Sequence, residues 1–158
     1  VDDGILDEED LSVGVFQTTL PAGTVYVAPE ETSANGTVVF DLPIPQRGKL
    51  IRGLSWSFEN GQVKNFTAAK NGDMIIPLWE RSSGDKTQFG VFGLGINHAA
   101  KSGFLDNALV HGAVTLGIGD NKLIGGKNES TFSFQGTLAK STVIIDGQRI
   151  VSDGKLLL

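Results

Sequence analysis

The stretch Ile51-Arg-Gly-Leu-Ser-Trp-Ser-Phe-Glu-Asn-Gly-Gln-Val-Lys-Asn-Phe-Thr-Ala-Ala69 decides the fold class. Residues 51–58 alternate with a loose period of two, which sets Leu54, Trp56 and Phe58 on one side of an extended strand. Glu59-Asn-Gly61 reads as a tight turn, because Asn-Gly supplies the positive φ that a primed hairpin turn needs. Residues 62–69 are the return strand, with Val63 on one face and Lys64, Phe66 and Ala68 on the other. Two such strands around Asn-Gly specify a β-hairpin with a buried aromatic face.

The text on both sides is mostly strand-like. Residues 12–18, 24–27 and 36–42 are rich in β-branched and aromatic residues, and Pro43 and Pro45 stop the last of them. The alternation of residues 131–135 and the apolar run 113–118 predict two further strands. Residues 142–145 and 148–151 flank Asp146-Gly147, a second hairpin signal, and Asp153-Gly154 turns the end. Residues 73–81 are the best helix candidate, with Ile75, Ile76, Leu78 and Trp79 apolar and Asn71 or Asp73 as cap. Pro77 sits at its fifth position, so the helix is short or starts late. Residues 89–96 carry Gly90, Gly93 and Gly95, which suits a tightly packed strand or a packed turn. Residues 104–110 allow one or two helical turns. The first ten residues are acidic and read as a frayed end or the stub of a preceding segment. The fold class expected is α+β and β-rich: a strongly curved antiparallel or mixed sheet, or an open barrel, with a few short helices.

Composition narrows the chemistry. At 158 residues one core is expected. Cys is absent, which excludes disulfides, zinc knuckles and thiol nucleophiles. Only two His occur, so a metal site would lean on carboxylates. The 21 Gly exceed the roughly 11 that a typical frequency gives, which implies tight turns and close backbone contacts. A net charge of −5 with no basic run argues against nucleic acid. No apolar run approaches the roughly 18 residues of a membrane span, and a cytoplasmic setting is expected.

Local motifs assign no reaction. The Gly-x-Gly within residues 112–120 lacks the third glycine and the strand–turn–helix setting of a dinucleotide site. Gly125-Gly126-Lys127 reads as a glycine turn, Asp120-Asn121 as turn residues and Glu30-Glu31 as a solvated pair. His98 reads as a loop histidine and His111 as a structural one beside an apolar stretch. Asp106 and His111 are too far apart in sequence to pair along a helix and meet only if the fold brings them together.

The order and spacing of several segments carry more. Residues 2–11 and Leu20-Pro-Ala-Gly-Thr-Val-Tyr-Val-Ala-Pro29 open the series. Ser33-Ala-Asn-Gly-Thr37, Phe58-Glu-Asn-Gly-Gln-Val63 and Phe92-Gly-Leu-Gly-Ile-Asn97 follow. Leu116-Gly-Ile-Gly-Asp-Asn121, Gly125-Gly-Lys127 and Thr142-Val-Ile-Ile-Asp-Gly147 close it. In this order they resemble the catalytic, C-terminal half of the thermophilic metallo-aminopeptidases: aminopeptidase T, aminopeptidase S and related leucyl aminopeptidases. The resemblance implies that residues 1–158 form a single aminopeptidase-like C-terminal domain, with the family's N-terminal α/β domain absent. It also implies dimeric assembly and, in the family, a two-metal site of Glu, His and Asp.

At the implied ligand positions this sequence departs from the family. The two Glu positions are Thr24 and Val91, the strand His is Thr115, and the closing His-x-Asp pair is Ser133 and Gln135. The acidic segment between them reads Asn107-Ala-Leu109. Two divalent cations need several donors at about 2.0–2.2 Å, which neutral side chains do not replace. No metal and no other cofactor is therefore expected, and the five positions are read as a substrate pocket.

Three functions stay open. Truncated relatives of this kind resemble subunits of crocagin-type biosynthesis, where paired homologues dehydrate and cyclise a precursor peptide. The partner would then be a peptide precursor and a homologue, in a homodimer or heterodimer, with His98, His111 or Asp106 as replacement base. The second reading is a non-catalytic pseudoenzyme or dimerisation module. The third is a fragment of a metal-dependent leucyl aminopeptidase.

Overall fold

The structure is a computed structural model and describes residues 4–12, 18, 20–103 and 106–157. The strands are β1 (Thr24–Val27), β2 (Gly36–Val39), β3 (Ile44–Gln46), β4 (Lys49–Ile51), β5 (Ser55–Glu59) and β6 (Gln62–Thr67). They continue with β7 (Phe89–Gly95), β8 (Val114–Gly119), β9 (Ser133–Leu138), β10 (Val143–Ile145), β11 (Gln148–Ser152) and β12 (Lys155–Leu156). Two short helices, α1 (Glu8–Ser12) and α2 (Ile76–Glu80), and three 3₁₀ turns complete the described elements. The fold is β-rich with few helices. Its strands form open antiparallel sheets ordered β1-β7-β8-β9, β2-β5-β6, β10-β11-β12 and β3-β4, and none closes into a barrel.

The Asn60-Gly61 hairpin forms as its chemistry requires. Asn60 and Gly61 take φ of 49° and 78°, the left-handed pair of a primed turn. A side chain at 61 would also strike the carbonyl of Glu31. The register, however, corrects the expected facing of the return strand. Trp56 pairs with Phe66 and Phe58 with Val63, with a bulge between. The extra residue puts Val63 and Phe66 on the same face, where strict alternation had separated them. The predicted strand 51–58 is two strands: Ile51 ends β4, and β5 starts at Ser55.

Other local expectations shift in physically simple ways. β2 ends at Val39, and Pro45 lies in the short strand β3 opposite Leu50, where its missing N–H is tolerated at an edge. Residues 89–96 resolve as a strand, β7. Pro77 falls in the first turn of α2, preceded by the 3₁₀ turn Gly72–Ile75, so its missing N–H leaves no helical bond unmade. Asn71 does not cap that turn with its side chain; it takes φ 57° and donates Nδ2–H to Leu50 O at 2.8 Å. Ser12 closes α1, and most of the strand expected at 12–18 lies outside the described residues, as do residues 104 and 105 of the turn expected at 104–110. The later part of that turn is the 3₁₀ turn Asn107–Leu109.

The core lies between the hairpin sheet and one face of the four-stranded sheet. Phe40, Trp56, Phe132, Phe134, Ile51, Leu54, Ile75 and Ile118 form its main cluster. Trp56 is fully buried, with Phe40 edge-on at 4.7 Å between centroids. Burying each such side chain stabilises the fold by about 1.5–3 kcal/mol. A second cluster joins Leu94, Val114 and Val151 and anchors the β10–β12 sheet.

Candidate functional site

The four-stranded sheet separates two chemistries. Cα partners in an antiparallel ladder share a face. Thr24 pairs with Gly95, and Tyr26 with Gly93. Gly93 pairs with Thr115, and Val91 with Gly117. Thr115 pairs with Thr137, Gly117 with Gln135 and Gly119 with Ser133. Thr24, Val91, Thr115, Ser133 and Gln135 therefore occupy one face, although they come from four strands. The intervening residues Leu94, Val114, Ile118 and Phe134 point to the core.

This face is built from small residues. Gly117 lies between Val91 and Gln135, and a methyl group there would meet Val91 Cβ and Gln135 Cγ at 2.9 Å each. Thr24 and Thr115 are each 1% exposed, and both hydroxyls are engaged. Thr24 donates Oγ1–H to Ala108 O at 3.2 Å, which ties β1 to the 3₁₀ turn at Asn107–Leu109. Thr115 Oγ1 shares a hydrogen bond with Thr137 Oγ1 at 3.0 Å. Ser133 and Gln135 are exposed.

A cleft of about 160 Å³ opens on this surface. Thr115, Gln135 and Thr137 line it from the sheet, Asp106 and Asn107 from the 3₁₀ turn, and residues 42–45 from across. The fold thus brings Asp106 together with two of the five positions. Its Oδ1 accepts from Ala108 N at 2.9 Å, so the carboxylate also caps the turn that forms the wall. Thr24, Val91 and Ser133 share the face but do not line the cleft.

The two histidines form a separate feature. His98 and His111 stack with centroids 3.7 Å apart and planes at 26°. Backbone contacts hold them there: Asn97 bridges Val110 in parallel, and His111 donates N–H to Asn97 O at 3.1 Å. Burial, and then the neighbouring His98 charge, push the pKa of His111 below its ordinary value. Asp106 accepts from Ala108 N, and among the described residues no hydrogen bond joins it to His98 or His111.

Sequence reasoning missed two asparagines that organise the loops around the sheet. Asn97 donates Nδ2–H to Ala22 O at 2.6 Å and accepts from the N–H groups of Ala99 and Ala100. Asn121 is 2% exposed; it donates to Gly90 O and Glu31 Oε1 and accepts from Asn128 N. Glu31 is accordingly no solvated bystander. Its Oε1 also accepts Lys127 N–H at 2.7 Å, and that backbone bond leads in holding its pKa below the usual carboxylate value. The signal was present in part, since buried Asn in Gly-rich turns commonly replaces backbone bonds.

The donor chemistry does not suit a metal pair. Among the described residues no group of three or more His, Cys, Asp or Glu converges. At the five positions the donors are hydroxyls and one amide, two of the hydroxyls already bonded within the protein, and Val91 offers none. These residues do not fit two divalent cations, which require anionic or imidazole ligands. What they offer instead is a set of uncharged hydrogen-bonding groups beside one carboxylate.

Comparison with known proteins gives this arrangement its class. Residues 7–104 match the thermophilic metalloprotease (M29) family, and the chain belongs to that family. Among curated relatives it is 28% identical over 69 residues to aminopeptidase AmpS of Bacillus subtilis and 29% identical over 69 residues to aminopeptidase 2 of Geobacillus stearothermophilus. Each match covers 44% of this chain and 17% of the relative, so the matched segment spans under a fifth of the relatives' length. Among solved structures it is similar to AmpT from Thermus thermophilus, with a TM-score of 0.71 and 20% identity over 88% of this chain and 40% of that one. A 2,5-dihydroxypyridine dioxygenase from Pseudomonas putida is similar too, with a TM-score of 0.66 and 18% identity over 84% and 42%. Identities this low establish a shared fold, and a fold named for such different proteins does not dictate one reaction. No helix among the described residues is long and apolar enough to cross a membrane.

Proposed function

We propose that this chain is a metal-free, aminopeptidase-derived peptide-binding protein. It acts with a homologous partner, in a homodimer or heterodimer, in the dehydration and cyclisation of a precursor peptide. The observation that carries the reading is the uncharged face that gathers Thr24, Val91, Thr115, Ser133 and Gln135 where the family resemblance places metal ligands. Neutral hydroxyl and amide groups match the donors and acceptors of a peptide backbone without a charge to desolvate. The named activity of the curated relatives supports a peptide as ligand. In this reading the metal ligands are lost, no other cofactor replaces them, and the setting is cytoplasmic, away from nucleic acid and membrane.

The reaction is a net loss of one water. A bond forms to an amide carbon as its oxygen leaves, with both protons drawn from the nucleophile and the amide nitrogen. Asp106, which lines the cleft, is the replacement base within reach of a bound peptide; His98 and His111 are the remaining candidates. The test looks in the gene neighbourhood for a homologue and a precursor peptide, mixes any found with the purified chain, and reads mass. Loss of one water that requires both proteins is expected. An unchanged mass with retained peptide binding would instead support the non-catalytic scaffold, a reading favoured by the hydroxyls of Thr24 and Thr115 being consumed in protein bonds. Stoichiometric zinc, manganese or cobalt with release of leucine from leucine p-nitroanilide would overturn both in favour of a leucyl aminopeptidase fragment. A strict monomer at high micromolar concentration would remove the dimer from the proposal.

A further inference from the structure

Charge is segregated along this chain. Residues 44–71 hold five of its 13 Lys and Arg and one acid, Glu59, whereas residues 1–11 hold six of its 18 acids and no base. The fold gathers four of those cations on and beside the β3–β4 hairpin. Arg47 and Lys49 stand at its tip, Arg52 follows β4, and an antiparallel bridge sets Lys70 directly opposite Arg52. All four are exposed, and the one ion pair among the described residues, Lys122–Glu129, includes none of them. Asp73, in the 3₁₀ turn after Lys70, stays outside ion-pair distance of them. Ile51 is buried, so Leu50 and Arg52 on either side of it point outward together. Leu50, 40% exposed, pairs with Pro45 and gives the surface an apolar centre. Two features here cost stability in the isolated chain. Like charges opposite one another on a ladder repel. Five non-glycine residues among those described take positive φ, and Arg47, at 48°, is the one that is neither Asn nor Asp. An anionic partner offsets the first cost and gives the second, a cation held at a strained tip, a use.

The complementary surface lies on the same chain. Helix α1 buries none of its residues. Asp7 and Asp10 close its first turn reciprocally: Asp10 N–H donates to Asp7 Oδ1 at 3.0 Å and Asp7 N–H to Asp10 Oδ2 at 3.3 Å. Glu8 and Glu9 are left exposed, outside the one ion pair among the described residues. Ile5, Leu6 and Leu11 are 66%, 39% and 49% exposed. Residues 4–12 are thus an acidic segment with apolar side chains, and the hairpin is a basic surface with an apolar centre. We propose that residues 4–12 of one copy of this chain dock on the β3–β4 hairpin of a second copy. Glu8 and Glu9 face Arg52 and Lys70, and Leu6 and Leu11 cover Leu50. Reciprocal docking closes a two-fold dimer. A nucleic acid fits less well, since a long polyanion meets a chain of net charge −5 and a short acidic segment meets only the patch. The inference rests on the homodimeric form of the function proposed above and names its interface.

Sedimentation equilibrium of the full chain tests this. A dimer that weakens as salt screens exposed charges is expected. Arg52→Glu with Lys70→Glu, and separately Glu8→Lys with Glu9→Lys, should each raise the dimer dissociation constant about tenfold or more. All four substitutions in one chain restore the complementarity and should restore the dimer. The four residues are exposed, and circular dichroism checks that each variant keeps its fold. A free peptide of residues 4–12 should compete with the dimer, and the same peptide with Glu8→Lys and Glu9→Lys should not. The two reversals move the net charge in opposite directions, so general repulsion would make one strengthen association and the other weaken it. That result, or no recovery in the four-residue variant, would overturn the assignment. A dimer indifferent to both reversals would overturn this interface and leave the homodimer standing. A chain that stays monomeric at high micromolar concentration would overturn both.

Discussion

The two faces of the β1-β7-β8-β9 sheet are made by the same strands and differ in almost every physical respect. One face carries Leu94, Val114, Ile118 and Phe134 into the core. The other carries Thr24, Thr115, Ser133, Gln135 and the glycines at 93, 95, 117 and 119, with Val91 among them as a buried apolar side chain. Hydrophobic burial stabilises the first face and fixes the register. The second face inherits that register and is free to carry a site, because little of the folding free energy depends on its side chains. A scaffold of this kind can change its chemistry without losing its fold.

The largest test of this contrast compares neighbours on one strand. Phe134→Ala should cost about 4 kcal/mol by removing a buried ring, while Gln135→Ala should stay within about 0.5 kcal/mol, both read from urea unfolding. Comparable losses would break the distinction between the faces. Next comes Gly117→Ala. The added methyl meets Val91 and Gln135, and a cost of about 2 kcal/mol is expected, with Gln135→Ala in the same chain restoring part of it by removing the exposed Cγ that the methyl strikes. Thr115→Val should cost about 1 kcal/mol, since it leaves the Thr137 hydroxyl without its partner.

The smallest effect is a slope with pH. The folded-state pKa of His111 lies below its ordinary value of 6.5, so below that value the unfolded chain takes up the proton first. Stability should therefore fall as pH drops below 6.5 and be unaffected by this group above it. His111→Phe should flatten stability measured between pH 7 and pH 5, and an unchanged slope would count against the stacked pair as its source.

Legibility in the sequence followed the range of the interaction. The Asn60-Gly61, Asp146-Gly147 and Asp153-Gly154 turns were readable because each depends on the backbone freedom of two adjacent residues. The buried strands were readable as apolar runs. The facing of Val63 and Phe66 was not, because one inserted residue reverses an alternation that carries no mark of the bulge. The roles of Asn97, Asn121 and Glu31 were hidden too. A polar residue in a glycine-rich turn looks solvated until the segments it bonds are known.

By itself the sequence determined a β-rich chain of the thermophilic metallo-aminopeptidase type with neutral residues at five implied ligand positions. The β-rich class follows from composition and local turn chemistry, and the five positions are what the family resemblance implies from motif order. Only the tertiary structure decided that the five share one face, that Asp106 joins Thr115 and Gln135 at a cleft, and that His98 and His111 stack on each other. Strand register and loop closure set these proximities, and both arise from the burial of the opposite face, between residues far apart in the chain.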